Sequence, residues 1–283
     1  MELRAPAKIN LTLEILSKRS DGYHEIRSVL QTINMADRLE FQPASDLSLE
    51  GDLVGSSAED NLVLRAARLL QKEAGVDHGA RITLRKVIPV AAGLGGGSSD
   101  AATTLRGLNE LWKLDFPTSR LEALGAILGS DVPFFICGGS ARVERGGGLL
   151  TALSDVPETW FLLFYLPSDL RNKTAEMYAR VTPLMFSRGD RTRLLAAEID
   201  TGKPISANHL CNVFEGVAFS EFPELREFYQ EVGRAGATNV RLTGTGPALF
   251  CMVESEAGGR ELLEKCDRRG LPVSLVKTVA RWL

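Results

Sequence analysis

PVAAGLGGGSSDAA, at residues 89 to 102, places four glycines and two serines directly before a helix-forming stretch. Glycine tolerates positive φ, so Gly93 and Gly95 to Gly97 allow successive backbone N–H groups to converge on one point. Ser98 to Asp100 suit a helix N-cap, and Ala101 to Leu111 is a good helix former. The loop would therefore lie at the positive end of a helix dipole, which predicts a phosphate-binding site.

Other interpretations of this loop are weaker. It lacks the Lys before Ser that a Walker A loop needs, and it lacks the acidic ribose partner of a dinucleotide fingerprint. A merely flexible loop would lose folding entropy at each glycine with no return in packing. A serine hydrolase using Ser98 or Ser99 would need a GxSxG elbow, and the three histidines fall in no triad motif.

Composition is that of an ordinary globular protein. The chain has 283 residues, 44% of them hydrophobic and 24% charged, which is room for two domains of about 100 to 150 residues. A formal net charge of −3 argues against a broad nucleic-acid or membrane surface, so any anion site should be local.

The four cysteines are scattered without a CxxC pair, which favours reduced thiols and a cytoplasmic protein over a zinc or redox site. The amino terminus mixes charges among its apolar residues, so no secretory signal is expected. The strongest apolar run, residues 160 to 166, is far shorter than the roughly 20 residues of a membrane-spanning helix. It predicts a buried strand.

Hydrophobic periodicity predicts an α+β protein. In the first half we expect extended structure over residues 1–45 with a turn at Asp21-Gly22, helices at 60–73, 101–112 and 119–128, strands at 80–87, 134–136 and 140–144, and a glycine turn at 146–148. In the second half we expect strands at 160–166, 238–242, 248–253 and 271–280, and helices at 174–181, 191–198, 206–219, 223–235 and 256–269. A turn-rich segment containing Pro157 suggests a domain boundary near residue 153.

Three segments together resemble, in order and spacing, the three motifs of the GHMP kinases: PAKINLTL at 6–13, PVAAGLGGGSSDAA at 89–102 and LTGTGPALF at 242–250. DGYHEI at 21–26 and GSDVPFF at 129–135 are similar to the members of this superfamily that act on a cytidylated sugar alcohol. The resemblance implies a two-domain fold: an ATP-binding α+β domain over 1–153 and a ferredoxin-like domain over 154–283. The last strand is then a candidate to pack back on the first domain.

The implied activity is transfer of the γ-phosphoryl group of ATP to the 2-hydroxyl of a methylerythritol that carries cytidine diphosphate, in non-mevalonate isoprenoid precursor biosynthesis. The resemblance implies ATP and Mg²⁺ as cofactors, a small-molecule substrate, and neither nucleic acid nor membrane as a partner. Monomer and weak dimer both remain open. Two alternatives are a mevalonate- or homoserine-type kinase and a non-catalytic nucleotide-binding sensor, although a sensor should have lost Lys8 or Asp131.

Two charged residues are the catalytic candidates. Asp131 lies between Gly129-Ser130 and Pro133, where the family places its catalytic aspartate; from sequence alone it could simply cap a turn. Lys8 interrupts an apolar strand, where a lysine is unfavourable unless it faces solvent or a partner. The resemblance implies that it pairs with Asp131 and adds positive charge near the acceptor oxygen. Asn10 shares the strand face of Lys8 and would bond the substrate.

The remaining site residues rest mainly on the resemblance. It assigns cytosine recognition and nearby acceptor contacts to Tyr23, His24, Thr174 and Tyr178, although each aromatic taken singly is more often part of a core. The turn at Gly244 and Thr245 would approach the cytidine side or stabilise the glycine loop. ATP would be bound by Asn61, Leu62, Lys86, Pro89, Gly93, Leu94, Gly95, Gly96, Gly97, Ser98 and Ser99. Ser99 is also the candidate ligand for Mg²⁺ or a β-phosphate oxygen.

Overall fold

The computed structural model describes residues 1–53, 59–145, 148–166 and 173–282. The first half contains, in chain order, β1 (Glu2–Lys18), β2 (His24–Ala44), β3 (Leu47–Gly51), α1 (Leu62–Ala74), β4 (Gly79–Arg85), α2 (Gly96–Leu111), α3 (Thr118–Leu128), α4 (Val132–Cys137), β5 (Ser140–Glu144) and β6 (Leu149–Ala152). The second half contains β7 (Trp160–Phe164), α5 (Lys173–Ala179), α6 (Asp190–Asp200), β8 (Cys211–Asn212), α7 (Glu215–Glu221), α8 (Pro223–Arg234), β9 (Arg241–Leu242), β10 (Leu249–Val253), α9 (Glu256–Asp267) and β11 (Val273–Lys277).

The first sheet has the order β3-β4-β2-β1-β8, with β5 paired to β2 and β6 paired to β5. In strand β1, which lies between β2 and β8, every residue from Ala5 to Ile15 is buried, because both faces of the sheet are covered. Helices α1 to α4 cover one face, where Phe41, Leu105 and Phe134 belong to a single core. A buried strand covered on both faces is expected to be nearly continuous in apolar residues. Lys8 is thus held inside the molecule by the strand that carries it.

The second sheet is antiparallel with the order β11-β7-β10-β9. When its four strands are numbered along the chain, their order across the sheet is 4-1-3-2. Helix α8 lies in the chain between the first and second strands, and α9 lies between the third and fourth. This is the ferredoxin-like arrangement, so the predicted α+β fold class is confirmed.

A second core joins the two halves. Ile9, Leu11 and Val29 of the first sheet pack with Phe161 and Phe250 of the second. The segment after β11 returns to the first sheet, where Val279 N–H donates to the carbonyl of Thr32 at 2.9 Å. The strand pairs within the second sheet, and its end also contacts the first sheet, where the Lys277 N–H donates to the side-chain oxygen of Asn34 in β2 at 2.9 Å. The boundary at residue 153 stays a prediction.

Two predicted elements are wrong. Residues 134–136, predicted as a strand, lie in helix α4, where Pro133 fits the first turn and Gly138 at φ 68° ends the helix. A short apolar run does not distinguish a strand from a buried helix. Residues 206–219, predicted as one helix, are a 3₁₀ turn, then β8 and α7, because Asn212 bonds the carbonyls of Leu242 and Gly244 at 2.9 and 2.8 Å.

The other predicted elements are present. The helix predicted at 101–112 begins five residues earlier, at Gly96, and the strand predicted at 238–242 is only β9 at Arg241–Leu242; the rest differ by small shifts at their ends. Of the glycine turn predicted at 146–148, residues 146 and 147 lie outside the described residues. No helix in the described ranges combines the length and the apolar character that crossing a membrane requires.

Candidate active site

The glycine loop leads directly into α2. Gly95 is the N-cap residue in the left-handed region at φ 72°, and the helix begins at Gly96. The predicted N-cap at Ser98 to Asp100 is therefore wrong, because these residues already lie in the helix. The first turn of a helix leaves its N–H groups without helical partners, so the amides of Gly96 to Ser98 are available to an anion, whereas the Ser99 N–H already donates to the Gly95 carbonyl at 2.9 Å.

The carboxy-terminal half supports the same loop. Gly93 has φ 81°, and a Cβ there would lie 2.5 Å from the carbonyl oxygen of Thr243. Ala248 N–H donates to the carbonyl of Ala92 at 3.1 Å. Gly244, at φ 56°, packs against Gly93 closely enough that an added Cβ would be 3.1 Å from its carbonyl. Glycine is needed here for close backbone approach, and the turn at 244–247 stabilises the loop.

A first cavity of about 380 Å³ lies against the loop. Its lining includes every residue predicted for ATP except Ser99: Asn61, Leu62, Lys86, Pro89, Gly93, Leu94, Gly95, Gly96, Gly97 and Ser98. Asn61 also caps α1 by accepting the Val63 N–H at 3.0 Å. The cavity is thus formed where the starts of two helices meet.

Ser99 does not reach this cavity. Its side chain is fully buried, and its hydroxyl donates to the carbonyl of Pro6 at 2.7 Å. The hydroxyl ties α2 to β1, so the predicted contact between Ser99 and Mg²⁺ does not fit this arrangement. Ser98 is the serine that borders the cavity.

A buried group of three charges lies in the cavity wall. Lys86 Nζ contacts Asp37 Oδ2 at 2.5 Å and Asp100 Oδ2 at 2.7 Å. Burial acts to lower the pKa of Lys86, but the two carboxylates outweigh it and raise the pKa. Burial raises the pKa of Asp100 to about 7, although the Lys86 ammonium opposes this effect.

A second cavity of about 310 Å³ shares Gly93 and Gly95 with the first. The two cavities therefore meet at the glycine loop. Its polar lining comprises Lys8, Asn10, Ser28, Ser130, Asp131, Thr174, Tyr178 and Thr245, with Gly244 beside them. Thr174 and Thr245 are joined through their hydroxyls at 3.0 Å.

Lys8, Asn10 and Asp131 come together in this second cavity. Lys8 Nζ donates to Asn10 Oδ1 at 2.6 Å and lies 3.8 Å from Asp131 Oδ2. Burial lowers the pKa of Lys8, and the charge of Asp131 opposes this shift. Asn10 is fixed in turn by its amide, which donates to Ser28 Oγ at 2.9 Å. The structure thus brings together the three residues that the sequence predicted to cooperate.

Asp131 occupies the N-cap position of α4, but its side chain makes no capping hydrogen bond. Its carboxylate is 40% exposed and faces the second cavity. Capping the turn is therefore not what this side chain does here. A carboxylate that is open to the cavity and paired with a buried ammonium can accept a proton from a bound hydroxyl.

The structure separates the predicted pair Tyr23 and His24. His24 is buried and stacks on Tyr178 with 5.5 Å between ring centroids. Tyr178 lines the second cavity, so His24 packs against the ring that lines it. Burial, with a smaller contribution from Lys18, lowers the pKa of His24 and so favours its neutral form. Tyr23 is 74% exposed and borders a third cavity, which shares Ser130 with the second.

Sequence reasoning missed several residues at this site: Ser28, Asp37, Asp100, Ser130 and Thr243. Thr243 is fully buried, and its hydroxyl accepts the Asn10 N–H at 3.0 Å. Asp37 carried a usable signal, because it interrupts an apolar strand in the same way as Lys8. The contacts of Ser28 and Thr243 span long sequence separations, so no local pattern predicts them.

This arrangement suits phosphoryl transfer, in which catalysis is mostly positioning and charge stabilisation. The glycine loop can hold a polyphosphate, and the Lys8–Asp131 pair lies in the adjoining cavity. No covalent intermediate is required of the chain.

Comparison with known proteins agrees with this geometry. The family model described as "GHMP kinases N terminal domain" matches residues 61–139, and the one described as "GHMP kinases C terminal" matches residues 195–271. The 4-diphosphocytidyl-2-C-methyl-D-erythritol kinase of Dehalococcoides mccartyi is 39% identical over 283 residues, covering 99% of this chain and 98% of the relative. The enzyme of that name from Symbiobacterium thermophilum is 41% identical over 284 residues, covering 99% of this chain and 100% of the relative.

A crystal structure of 4-(cytidine 5'-diphospho)-2C-methyl-D-erythritol kinase superimposes with a TM-score of 0.83 and 35% sequence identity, covering 98% of this chain and 99% of that one. Sequence and fold therefore agree over nearly the whole length. The chain belongs to the 4-diphosphocytidyl-2-C-methyl-D-erythritol kinase family of the GHMP kinases.

Proposed function

We propose that this chain transfers the γ-phosphoryl group of ATP to the 2-hydroxyl of 4-diphosphocytidyl-2-C-methyl-D-erythritol, a step in making isoprenoid precursors. One observation carries the proposal: the cavity beside the glycine loop and the cavity that holds Lys8 and Asp131 meet at Gly93 and Gly95. A donor phosphate and an acceptor alcohol could therefore approach each other at the loop. The names of the relatives supply the identity of the acceptor.

ATP would occupy the first cavity, with its phosphates on the amides at the start of α2 and its base toward Asn61, Leu62 and Pro89. Mg²⁺, when bound, would neutralise charge on the phosphates. In the described part of the chain, no three His, Cys, Asp or Glu side chains are placed to hold a metal. Mg²⁺ usually keeps several waters and binds through substrate phosphates, so this protein surface fits a nucleotide-borne ion.

Asp131 would accept the proton of the 2-hydroxyl as the oxygen attacks the γ-phosphorus. A new P–O bond forms to the acceptor, the bond to the β-phosphate oxygen breaks, and ADP leaves with that oxygen. Lys8, charged and fixed by Asn10, would stabilise the carboxylate and the developing charge on the transferred group.

The cytidine portion of the acceptor would lie against Tyr178, whose ring lines the second cavity and is supported by His24. Thr174 and Thr245 present hydroxyls at the same cavity, and Gly244 lies beside them. Tyr23, exposed at the adjoining cavity, would close over the base from the other side.

The test is ADP release from the purified protein with Mg-ATP across a panel of acceptors: the cytidylated methylerythritol, mevalonate and homoserine. We expect the highest kcat/KM for the cytidylated alcohol. A higher value for mevalonate or homoserine would instead support another GHMP kinase specificity. ATP binding without turnover on any acceptor would support a nucleotide sensor.

A further inference from the structure

Three charged side chains meet in a buried group that no other part of the site explains. Asp37 is fully buried, Asp100 is 3% exposed, and the Lys86 ammonium lies between them at 2.5 and 2.7 Å. The second oxygen of Asp100, Oδ1, is buried and has no hydrogen-bond partner among the described residues. Charges are rarely buried at this depth unless they are paired.

The group ties β2 to two segments that line the ATP cavity. Asp37 comes from β2, Lys86 from the segment after β4, and Asp100 from α2. Asp37 Oδ1 also accepts the backbone N–H groups of Val87 and Ile88, at 2.6 and 2.8 Å. One carboxylate therefore holds both the Lys86 ammonium and the backbone that follows it toward the glycine loop.

The Lys86 ammonium lies directly beneath the start of α2. A Cβ added at Gly96 would be 3.3 Å from Lys86 Nζ, and Gly96 lines the cavity. Any movement of the Lys86 side chain would change the cavity wall next to the residue that begins the anion-binding turn. Its position therefore matters to a ligand that binds there.

The charge balance makes the presence of Asp100 informative. With both carboxylates ionised, the group would carry a net negative charge beside a cavity proposed for a polyanion. Direct Coulomb repulsion from Asp100 would then disfavour nucleotide binding. A favourable contribution of Asp100 would instead act through the Lys86 ammonium, which it holds at 2.7 Å and whose pKa it raises.

We propose that Asp37 and Asp100 are positioning residues for ATP, acting through Lys86: they hold its ammonium under Gly96 and so fix the wall of the phosphate site. The inference rests on the proposed ATP site. It assigns a role in nucleotide binding to two acidic side chains that need not touch the nucleotide.

The first experiment is Asp100→Asn in the 283-residue chain, an isosteric change whose folding is checked by thermal unfolding. Positioning predicts an ATP KM raised about tenfold, within the range for groups that share a partner, with kcat and the acceptor KM within about twofold. A pure charge effect has the opposite sign, since removing a negative charge should lower the ATP KM. An unchanged or lower KM would overturn the proposal.

Asp52→Asn is the matched charge control. Asp52 lines the same cavity, and its Oδ2 accepts the backbone N–H of Lys86 at 2.9 Å, an acceptor role that the amide oxygen of Asn can retain. This variant removes the same charge without touching the Lys86 ammonium. We expect its ATP KM to be equal to or below that of the wild type; a tenfold rise would show that any charge change here weakens ATP binding and would contradict the proposal.

A double-mutant cycle tests the route through Lys86. Lys86→Gln keeps hydrogen-bond donors between the carboxylates, and Asp100→Asn should then produce little further loss of ATP affinity in that background. An equal loss in both backgrounds would show that Asp100 does not act through Lys86. Calorimetric titration with ATP distinguishes failure of the proposed ATP site from failure of this inference. If the wild type does not bind ATP, the ATP site itself is contradicted. If it binds ATP and Asp100→Asn binds equally well, only this inference is contradicted.

Discussion

Lys8 and Asp131 lie side by side in the wall of the second cavity, with Lys8 Nζ 3.8 Å from Asp131 Oδ2. Their environments differ: the Lys8 side chain is 5% exposed and that of Asp131 is 40% exposed. Burial acts against the charge of Lys8, and the carboxylate of Asp131 opposes that effect. The buried lysine therefore depends on the open aspartate to keep its proton, and the two should be treated as one functional pair.

Asp131→Asn should lower kcat by at least about 100-fold, since it removes the proposed proton acceptor. ATP affinity should stay within about twofold, because Asp131 is absent from the lining of the ATP cavity. Single-turnover kinetics and ATP titration measure the two quantities. Asp267→Asn, an exposed change on α9, is the control and should behave as the wild type. Full turnover by Asp131→Asn would remove this residue from the mechanism.

The kcat of the wild type should fall as the pH becomes alkaline. The midpoint of this decline should lie below the ordinary lysine pKa of 10.5, because burial lowers the pKa of Lys8. The sign follows from the active form: Lys8 is charged below its pKa, and its charge is lost as the pH rises through it. Lys8→Arg keeps the charge and should lose this alkaline decline, whatever its maximal rate. A decline that persists unchanged in Lys8→Arg would assign it to another group.

Gly93→Ala should lower the free energy of unfolding by at least about 2 kcal/mol. The alanine would be held in the left-handed backbone region, and its Cβ would also clash with the backbone. That Cβ would lie 2.5 Å from the Thr243 carbonyl oxygen. Gly97→Ala is the matched control for stability, since its Cβ would lie 3.6 Å from Leu62 Cδ1 in an ordinary helical conformation. In thermal unfolding, the Tm of Gly97→Ala should be equal to or above that of the wild type. An equal loss of Tm in both variants would contradict this account.

Asp37→Ala should cost about 3–5 kcal/mol of stability, the range for breaking a buried ion pair by removing one partner. It would leave the Lys86 ammonium and two backbone N–H groups short of an acceptor. Glu73→Ala breaks the half-exposed pair with Arg120, so it should cost only about 0–1 kcal/mol. Urea unfolding of the two variants makes the comparison, and similar losses would show that burial of Asp37 is not decisive.

Tyr178→Ala should raise the acceptor KM by roughly 5- to 150-fold, the equivalent of about 1–3 kcal/mol for one base stacked on an aromatic ring. Tyr178→Phe keeps the ring and its contact with His24, so its KM should stay near the wild-type value. The ATP KM should change in neither variant. An acceptor KM that is equal in Tyr178→Ala and the wild type would place the base elsewhere.

Local patterns predicted the parts of the fold that local chemistry determines. Helix α1 begins at Leu62, near the predicted start at residue 60, with Asn61 as its cap, and the glycine loop precedes a helix. Where tertiary contacts decide, the patterns failed: residues 134–136 form a helix, and Asn212 interrupts a predicted helix by bonding to the segment after β9.

The site shows the same division. Lys8 was detectable because a lysine in an apolar strand requires an explanation, and the structure supplies Asp131 and Asn10 as its partners. By contrast, adjacent residues can point in different directions, and sequence alone could not show that Ser98 borders the cavity while Ser99 bonds Pro6. Tyr23 and His24 are separated in the same way.

The contact between Gly93 and Thr243 has a consequence for how the chain can be divided. The turn that supports the glycine loop lies about 150 residues downstream of it, and the hydroxyl of Thr243 also accepts the Asn10 N–H on the central strand. A fragment that ends at residue 153 would contain every glycine of the loop but not the turn that shapes it. We therefore expect that the amino-terminal half does not bind nucleotide as a separate fragment and that both halves unfold as one cooperative unit.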